Sequence, residues 1–304
     1  MQNTLNVAVI GAGLMGHGIA QVFAAAGHQV AITDTSAEVL AAAPAYIAHN
    51  LEQMGLATDP VLARIERFDQ LADTVRHADL VIEAALEKVE LKQRIFAELA
   101  KFAPAHAILA SNTSVIPIID IGLKLDDAAR SRVVGTHWWN PPHLVPLVEV
   151  IRTPFTSDEV FEKVFGILES VGKCPVKVNK DVPGFIGNRL QHALWREAIS
   201  LVERGVCDAQ TIDTVVKQSF GMRLPVLGPM ENADLVGLPL AQDIHRLVFP
   251  DLDCSKTSSP LLDKLIAQGH TGMRAGAGFQ TWTDEEANEV RRRLALHLIK
   301  VTRG

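Results

Sequence analysis

Residues 5–27, LNVAVIGAGLMGHGIAQVFAAAG, constrain the fold more than any other stretch. The apolar, β-branched run LNVAVI predicts a strand buried on both faces. GAGLMG follows at once, with Gly11, Gly13 and Gly16 spaced around Leu14 and Met15, and HGIAQVFAAAG reads as a helix closed at Gly27. Strand, glycine turn and helix open a parallel α/β sheet. Gly11 permits the tight turn, Gly13 lets backbone N–H groups approach a pyrophosphate, and Gly16 lets the helix sit close on the strand with its positive end toward the phosphates. The next strand, QVAIT, ends at Asp34, eighteen residues after Gly16. A carboxylate there accepts hydrogen bonds from both ribose hydroxyls of NAD and repels the extra phosphate of NADP. A glycine turn that serves packing alone is the plainer alternative; the strand, helix and acid in their places weigh against it.

Strand and helix patterns alternate from there. ADLVIEAA, AILASNTS, SRVVGTH, LVEVI and CPVKVNK read as further strands, and VELKQRIFAELAKFA as a helix. A helix capped near Ser36 follows Asp34 and is expected to be disturbed at Pro44. This alternation predicts a Rossmann-like, doubly wound parallel sheet. Near DVPGFIGN the period changes to helical, with Ile186, Leu190, Leu194, Ala198 and Leu201 in one stripe and Ser259–Pro260 opening another helix. The predicted organisation is an NAD-binding domain over residues 1–183 and an all-helical domain over 184–304.

Composition excludes several classes. A chain of 304 residues, 48% hydrophobic, can bury a large core in two domains. The net charge of −6 is spread along the chain and leaves no basic face for nucleic acid. Three scattered cysteines argue against a disulfide framework or a zinc site and for a reducing compartment. No apolar run approaches the length of a membrane span, and the N-terminal stretch lacks the positive start of a signal peptide. The expectation is a cytoplasmic protein with a small-molecule substrate and no metal.

Polar residues gather where strands end, which is where ligands bind in such sheets. Ser111–Ser114 follow AILA, and His137 follows VVGT. Glu149 interrupts the apolar run VPLVEVI, where a carboxylate is costly to bury without a partner. An antiparallel return would set Glu149 beside His137. An imidazole so held keeps one tautomer, and its other nitrogen is free to take a proton.

With GAGLMG, SNTS, HWWNP, LVEVI and DVPGFIGNRL the chain resembles the L-3-hydroxyacyl-CoA dehydrogenase family essentially end to end. The resemblance implies that His137 is the general base, that Glu149 orients it, and that Ser114 and Asn188 hold the substrate oxygen and carbonyl end. It further implies cofactor contacts from Asn140, Glu87 and Lys92, with Arg274 standing where the family has a lysine, and a homodimer joined through the helical domain. The implied reaction is oxidation of an L-3-hydroxy group to a 3-oxo group.

The chain also departs from that family. The acyl-CoA enzymes carry a basic helical hairpin after the ribose-binding acid; here residues 35–63 hold Glu38, Glu52 and Asp59 and neither lysine nor arginine. A polyanionic CoA binds poorly to such a surface. Trp138 and Trp139 replace two phenylalanines. NPPHLVPLVE and FGMRLPVLGPME look more like the branch that oxidises small free hydroxy acids, with gulonate dehydrogenase and λ-crystallin, and Arg223 is then a candidate partner for a free carboxylate. The alternatives are therefore a free or cyclic hydroxy acid, or a hydrated aldehyde, in place of a thioester, and a crystallin-like protein that keeps NAD without turnover.

Overall fold

The computed structural model describes residues 4–303. Its sheet contains β1 (Asn6–Ile10), β2 (Gln29–Thr33), β3 (Ile65–Arg67), β4 (Leu80–Glu83), β5 (Ile108–Ser111), β6 (Val133–Trp138), β7 (Leu147–Ile151) and β8 (Cys174–Val178). The spatial order is β3-β2-β1-β4-β5-β6-β7-β8. Neighbours pair in parallel, except that β7 returns antiparallel to β6. The chain winds from β1 outward through β2 to β3, then crosses to β4 on the other side of β1. That reversal opens a crevice between β1 and β4.

Successive residues of each strand feed opposite faces of the sheet. Val7, Val9, Leu80 and Ile82 pack on one side with Ile19, Phe23, Ile47 and Phe161. Ala8, Ile10, Val81 and Leu109 pack on the other with Phe96 and Leu99. The first face is covered by α1 (Leu14–Ala25), α2 (Ala37–Gln53) and the helix Asp158–Ser170; the second is covered by the helix Val89–Phe102.

Two local expectations change. The helix α2 is capped by the Ser36 hydroxyl, which accepts the Val39 N–H, but it runs through Pro44 without a break. Its stripe of Leu40, Ala43, Ile47 and Leu51 is buried. Burial of three large aliphatic side chains, each worth about 1.5–3 kcal/mol, outweighs an interior proline's penalty of about 3 kcal/mol. Strand β3 carries no sequence signal: its three residues, IER, are half-buried or exposed, and the edge is held by backbone pairing to β2.

Residues up to Arg189, with those from Leu296 onward, form one compact unit, and Leu190–Ala295 a second. This division of contacts falls inside the helix Gly187–Glu203. Within the first unit Phe185 is buried in the sheet's core, which keeps the start of that helix with the sheet. The second unit is helical, built chiefly from Ala209–Gln218, Pro229–Val236, Leu238–Val248 and Pro260–Ala267 with parts of the flanking helices. Ser259 caps Pro260–Ala267 by accepting the Leu261 N–H, with Pro260 in its first turn. Among the described residues no helix is long and apolar enough to cross a membrane.

Candidate active site

Pairing registers align Thr33, Ile10, Glu83, Ser111 and Gly135 in one row across the sheet. Beyond this row β1, β2, β4 and β5 give way to loops, while β6 runs on to Trp138. The row therefore gathers the glycine turn, Asp34, Glu87, the SNTS turn and His137 at the carboxyl edge of the parallel strands.

The glycine turn fits a dinucleotide. Gly11 has φ of 101°, and a Cβ there would lie 2.7 Å from the Ala84 carbonyl oxygen. A Cβ on Gly16 would lie 1.7 Å from the Gly11 carbonyl oxygen, so the helix can sit this close only without one. Around Gly13 the space is open: nothing lies within 4 Å of a built Cβ. Gly13 begins α1 with no side-chain cap, which leaves the amides of the first turn free for an anion. Leu14 is exposed and Met15 half-buried at the same edge. Asp34 bridges the turn and α2, since Oδ2 accepts the Ala12 N–H at 2.7 Å and Oδ1 accepts the Ser36 N–H at 2.9 Å. Each oxygen keeps a further lone pair for a hydroxyl.

His137 and Glu149 are directly opposed across the β6–β7 pair. His137 Nδ1 lies 2.7 Å from Glu149 Oε2, and the two residues are 4% and 1% exposed. A carboxylate only accepts, so Nδ1 carries the hydrogen and Nε2 keeps its lone pair. Glu149 Oε1 accepts the N–H groups of Ile186 at 2.8 Å and Gly187 at 3.0 Å. Phe185, at φ 50°, supplies the left-handed bend that aims both amides inward. Burial alone pushes the Glu149 carboxyl upward, but the bonds from His137, Gly187 and Ile186 together outweigh it and hold the group below its ordinary range. The imidazole lies between two tilted rings, Trp139 at 5.4 Å and Phe185 at 5.5 Å between centroids. Trp139 leans on Gly187, where a Cβ would come within 2.3 Å of its ring.

The SNTS turn hangs on a charge network that runs from the surface residue Glu87 to the buried Lys92 and Glu83. Glu87 Oε1 accepts the Thr113 hydroxyl and the N–H groups of Ser114 at 2.8 Å and Val115 at 3.0 Å. Lys92 Nζ lies 3.4 Å from Glu87 Oε2 and 2.7 Å from Glu83 Oε1. Glu83 also accepts the Ala85 N–H at 2.7 Å and the Ser111 hydroxyl at 2.6 Å. Lys92 is thus a buried bridge between two carboxylates. Desolvation pushes the Glu87 carboxyl up, but the bonds from Thr113, Val115 and Ser114 and the charge of Lys92 bring it below its usual range. Asn188 Nδ2 donates to the Ser114 carbonyl at 2.9 Å, and Asn112 Oδ1 accepts the Trp138 N–H at 2.9 Å, tying this turn to the two segments that flank His137.

Sequence reasoning missed Glu83. It interrupts the apolar run ADLVIEAA just as Glu149 interrupts VPLVEVI, and the same argument about an unpartnered buried carboxylate would have found it. Asn140 is exposed in the loop after β6. Arg223 and Arg274 are exposed residues of the second unit and do not belong to the compact unit that carries the strand ends.

A switch-point crevice, an uncapped helix start behind a glycine turn, an acid after β2 and a carboxylate-held imidazole define an NAD-dependent dehydrogenase. Two family models agree: 3-hydroxyacyl-CoA dehydrogenase, NAD binding domain, matches residues 6–182, and 3-hydroxyacyl-CoA dehydrogenase, C-terminal domain, matches residues 184–282. The chain is 33% identical to the 5-formyl-3-hydroxy-2-methylpyridine 4-carboxylate 5-dehydrogenase of Mesorhizobium japonicum, covering 98% of this chain and 97% of that protein. It is 38% identical to the mitochondrial hydroxyacyl-coenzyme A dehydrogenase of Homo sapiens, covering 90% of each. A crystal structure of a 5-formyl-3-hydroxy-2-methylpyridine 4-carboxylic acid 5-dehydrogenase, described as an NAD+ dependent dismutase, superposes with a TM-score of 0.91 at 32% identity over 99% of this chain and 98% of that one. The chain belongs to the 3-hydroxyacyl-CoA dehydrogenase family.

Proposed function

We propose that this dehydrogenase oxidises the hydroxyl of a small acid with a free carboxylate, or the hydrate of an aldehyde on such an acid, in preference to a CoA thioester. One observation carries the choice: residues 35–63, which include α2, present three acids and neither lysine nor arginine. A polyphosphate ligand needs cations there. The likeness to the Mesorhizobium japonicum enzyme, whose name specifies a pyridine carboxylate, supports the same reading. The likeness to the human hydroxyacyl-coenzyme A dehydrogenase supports the thioester reading, and the charge of residues 35–63 weighs against it.

In this mechanism His137 Nε2, unprotonated in the tautomer Glu149 selects, takes the proton of the substrate hydroxyl. Glu149 stays ionised in its amide cradle and stabilises the imidazolium that forms. Ser114 bonds the substrate oxygen, and Asn188 the carbonyl or carboxyl end. The turn at Gly11, Gly13, Leu14, Met15 and Gly16 would hold the pyrophosphate and Asp34 the adenosine ribose, with Asn140, Glu87, Lys92 and Arg274 assigned to the cofactor side. NAD, when bound, supplies the hydride acceptor. The intact His137–Glu149 pair is the observation against a non-catalytic, crystallin-like role.

The helical domain over 184–304 would bind substrate and join two copies. The helices Ala209–Gln218, Pro229–Val236, Leu238–Val248 and Pro260–Ala267 bury no residue within one chain. A groove of about 760 Å³ inside the second unit is lined by Leu194, Trp195, Ile199, Val216 and Phe279. Such an apolar surface calls for a partner, and light scattering that finds a 33.0 kDa monomer overturns the dimer. Unpaired Cys174, Cys207 and Cys254 support a reducing, cytoplasmic setting.

The deciding experiment measures NADH formation with 3-hydroxyacyl-CoA esters, free 3-hydroxy acids, and hydroxymethyl or formyl aromatic acids. A kcat/KM highest for a free acid or aldehyde acid supports the proposal; one highest for a CoA ester overturns it. Arg223 is assigned to the free carboxylate, and an unchanged KM in Arg223→Met disposes of that assignment.

A further inference from the structure

The loop that joins β6 to β7, residues 139–146, begins two residues after His137 and carries Asn140. Three of its residues are prolines, which have no N–H to donate. Its internal backbone bonds are few: the N–H groups of Leu144 and Val145 both reach the Pro141 carbonyl, at 3.1 and 3.0 Å. A second anchor comes from outside. Lys173, in the turn before β8, donates from Nζ to the carbonyls of Pro142 at 2.5 Å and Val145 at 2.9 Å. The same Nζ stands 5.4 Å from the ring centroid of the buried Trp138. On the loop's far side lies α1: a Cβ on Gly18 would come within 2.6 Å of Pro142 Cγ and 3.6 Å of His143 Nδ1.

We propose that Lys173 is a positioning residue that clamps the 139–146 loop against α1, and so fixes Asn140 and the end of β6 relative to the dinucleotide-binding turn. The clamp connects three parts of the site: the helix whose first turn faces the pyrophosphate, the strand that carries His137, and the loop that carries Asn140. The chemistry of the group supports the role. Burial lowers the amine to about 8, and no acidic group among the described residues offsets that. The titratable group whose charge couples to it is His143 on the loop, held to about 4 by burial first and so neutral at physiological pH. An apolar side chain could cover Trp138 without this desolvation. What the amine adds is a pair of bonds to carbonyls that have no other donor among the described residues. A neutral amine still carries two hydrogens, so the clamp persists when the proton is lost.

The proposal rests on the reading of Asn140 as a cofactor contact, and the test separates the two. Lys173→Met preserves length and apolar packing but removes both donors. Its NAD dissociation constant, read by isothermal titration, is expected to rise about tenfold, the equivalent of about 1.4 kcal/mol. The KM for the alcohol should stay within about threefold. Hydrogen exchange in Leu144 and Val145 should quicken relative to the amides of β7. Asn140→Ala runs in parallel: normal NAD affinity there refutes the cofactor reading, while the exchange result in Lys173→Met still decides the clamp. Wild-type NAD affinity together with unchanged exchange in Lys173→Met overturns the proposal. Should that variant not fold, Lys173→Leu, which also lacks a donor, is tested in its place against the same two outcomes. If neither folds, the lysine is a residue of general stability and the positioning role is refuted.

Discussion

Replacing Glu149 with glutamine tests the centre of the mechanism with almost no change in shape. The carboxylate accepts three bonds: two from backbone N–H groups on Oε1 and one from His137 on Oε2. A glutamine must place its single oxygen on one side. With oxygen toward Ile186 and Gly187, the amide NH₂ faces His137 Nδ1 and can only donate. The imidazole then moves its hydrogen to Nε2, and the base is lost. The opposite rotamer keeps the imidazole correct but points NH₂ at two part-buried N–H groups. Each unpaired donor costs about 1–3 kcal/mol, so this rotamer lies about 2–6 kcal/mol higher on the same scale. The wrong tautomer therefore dominates. Loss of the correct tautomer in comparable carboxylate–histidine systems lowers kcat on the order of 10³–10⁴-fold, or about 4–5.5 kcal/mol of barrier. NADH absorbance at saturating NAD measures kcat, and KM values should stay within about threefold. Nitrogen NMR of the imidazole should find hydrogen on Nδ1 in the wild type and on Nε2 in the variant. A loss of kcat below about tenfold, with the variant folded, refutes the argument that Glu149 works by selecting a tautomer.

Three further outcomes follow from the structure. Gly13→Ala should fold with a melting temperature close to the wild type, since no atom lies within 4 Å of its new methyl, yet lose NAD affinity in a titration; Gly16→Ala, whose methyl would stand 1.7 Å from the Gly11 oxygen, should be destabilised in denaturant unfolding. Glu83→Gln leaves Lys92 buried without its closest carboxylate, which is expected to cost about 3–5 kcal/mol in urea unfolding, and a variant within about 1 kcal/mol of wild type would show the pair to be dispensable. His143 is held to about 4 from an ordinary 6.5 by burial first, then by the charges of His17 and Lys173. Its unfolded form binds the proton earlier, so stability is full above pH 6.5 and declines toward pH 4, by on the order of 3 kcal/mol. Comparing the pH dependence of unfolding in wild type and His143→Phe isolates that decline, and parallel curves would contradict it.

Much of the sheet was legible because its signals are local. Seven strands carry apolar runs, while β3 does not, because an edge strand held by backbone bonds needs no particular side chains. The glycine turn was legible from its spacing, and the contact of Gly16 with the Gly11 carbonyl is local, but the close approach of Gly11 to Ala84 is set by the pairing of β1 with β4. Glu149 stood out as a carboxylate in an apolar run, and the run itself suggested a partner. The rest of the site was less visible. Glu83, in a similar run, accepts from Ser111, 28 positions away, and Glu149 accepts from Ile186 and Gly187, 37 and 38 positions away. Backbone amides leave no mark in a sequence that distinguishes one acceptor from another.

By itself the sequence determined the local grammar: which segments become strands and helices, where a phosphate can approach, and that Glu149 needed a partner. Those are consequences of side-chain size, polarity and backbone freedom within a few residues. Only the tertiary structure decided which groups answer those needs. The antiparallel return of β7 sets Glu149 across from His137, the bend at Phe185 turns two amides onto the remaining oxygen, and Lys92 bridges Glu83 to Glu87 beneath the SNTS turn. Hydrogen bonds and ion pairs act over about 3 Å, whereas the chain brings such partners together only when the whole sheet has closed around them.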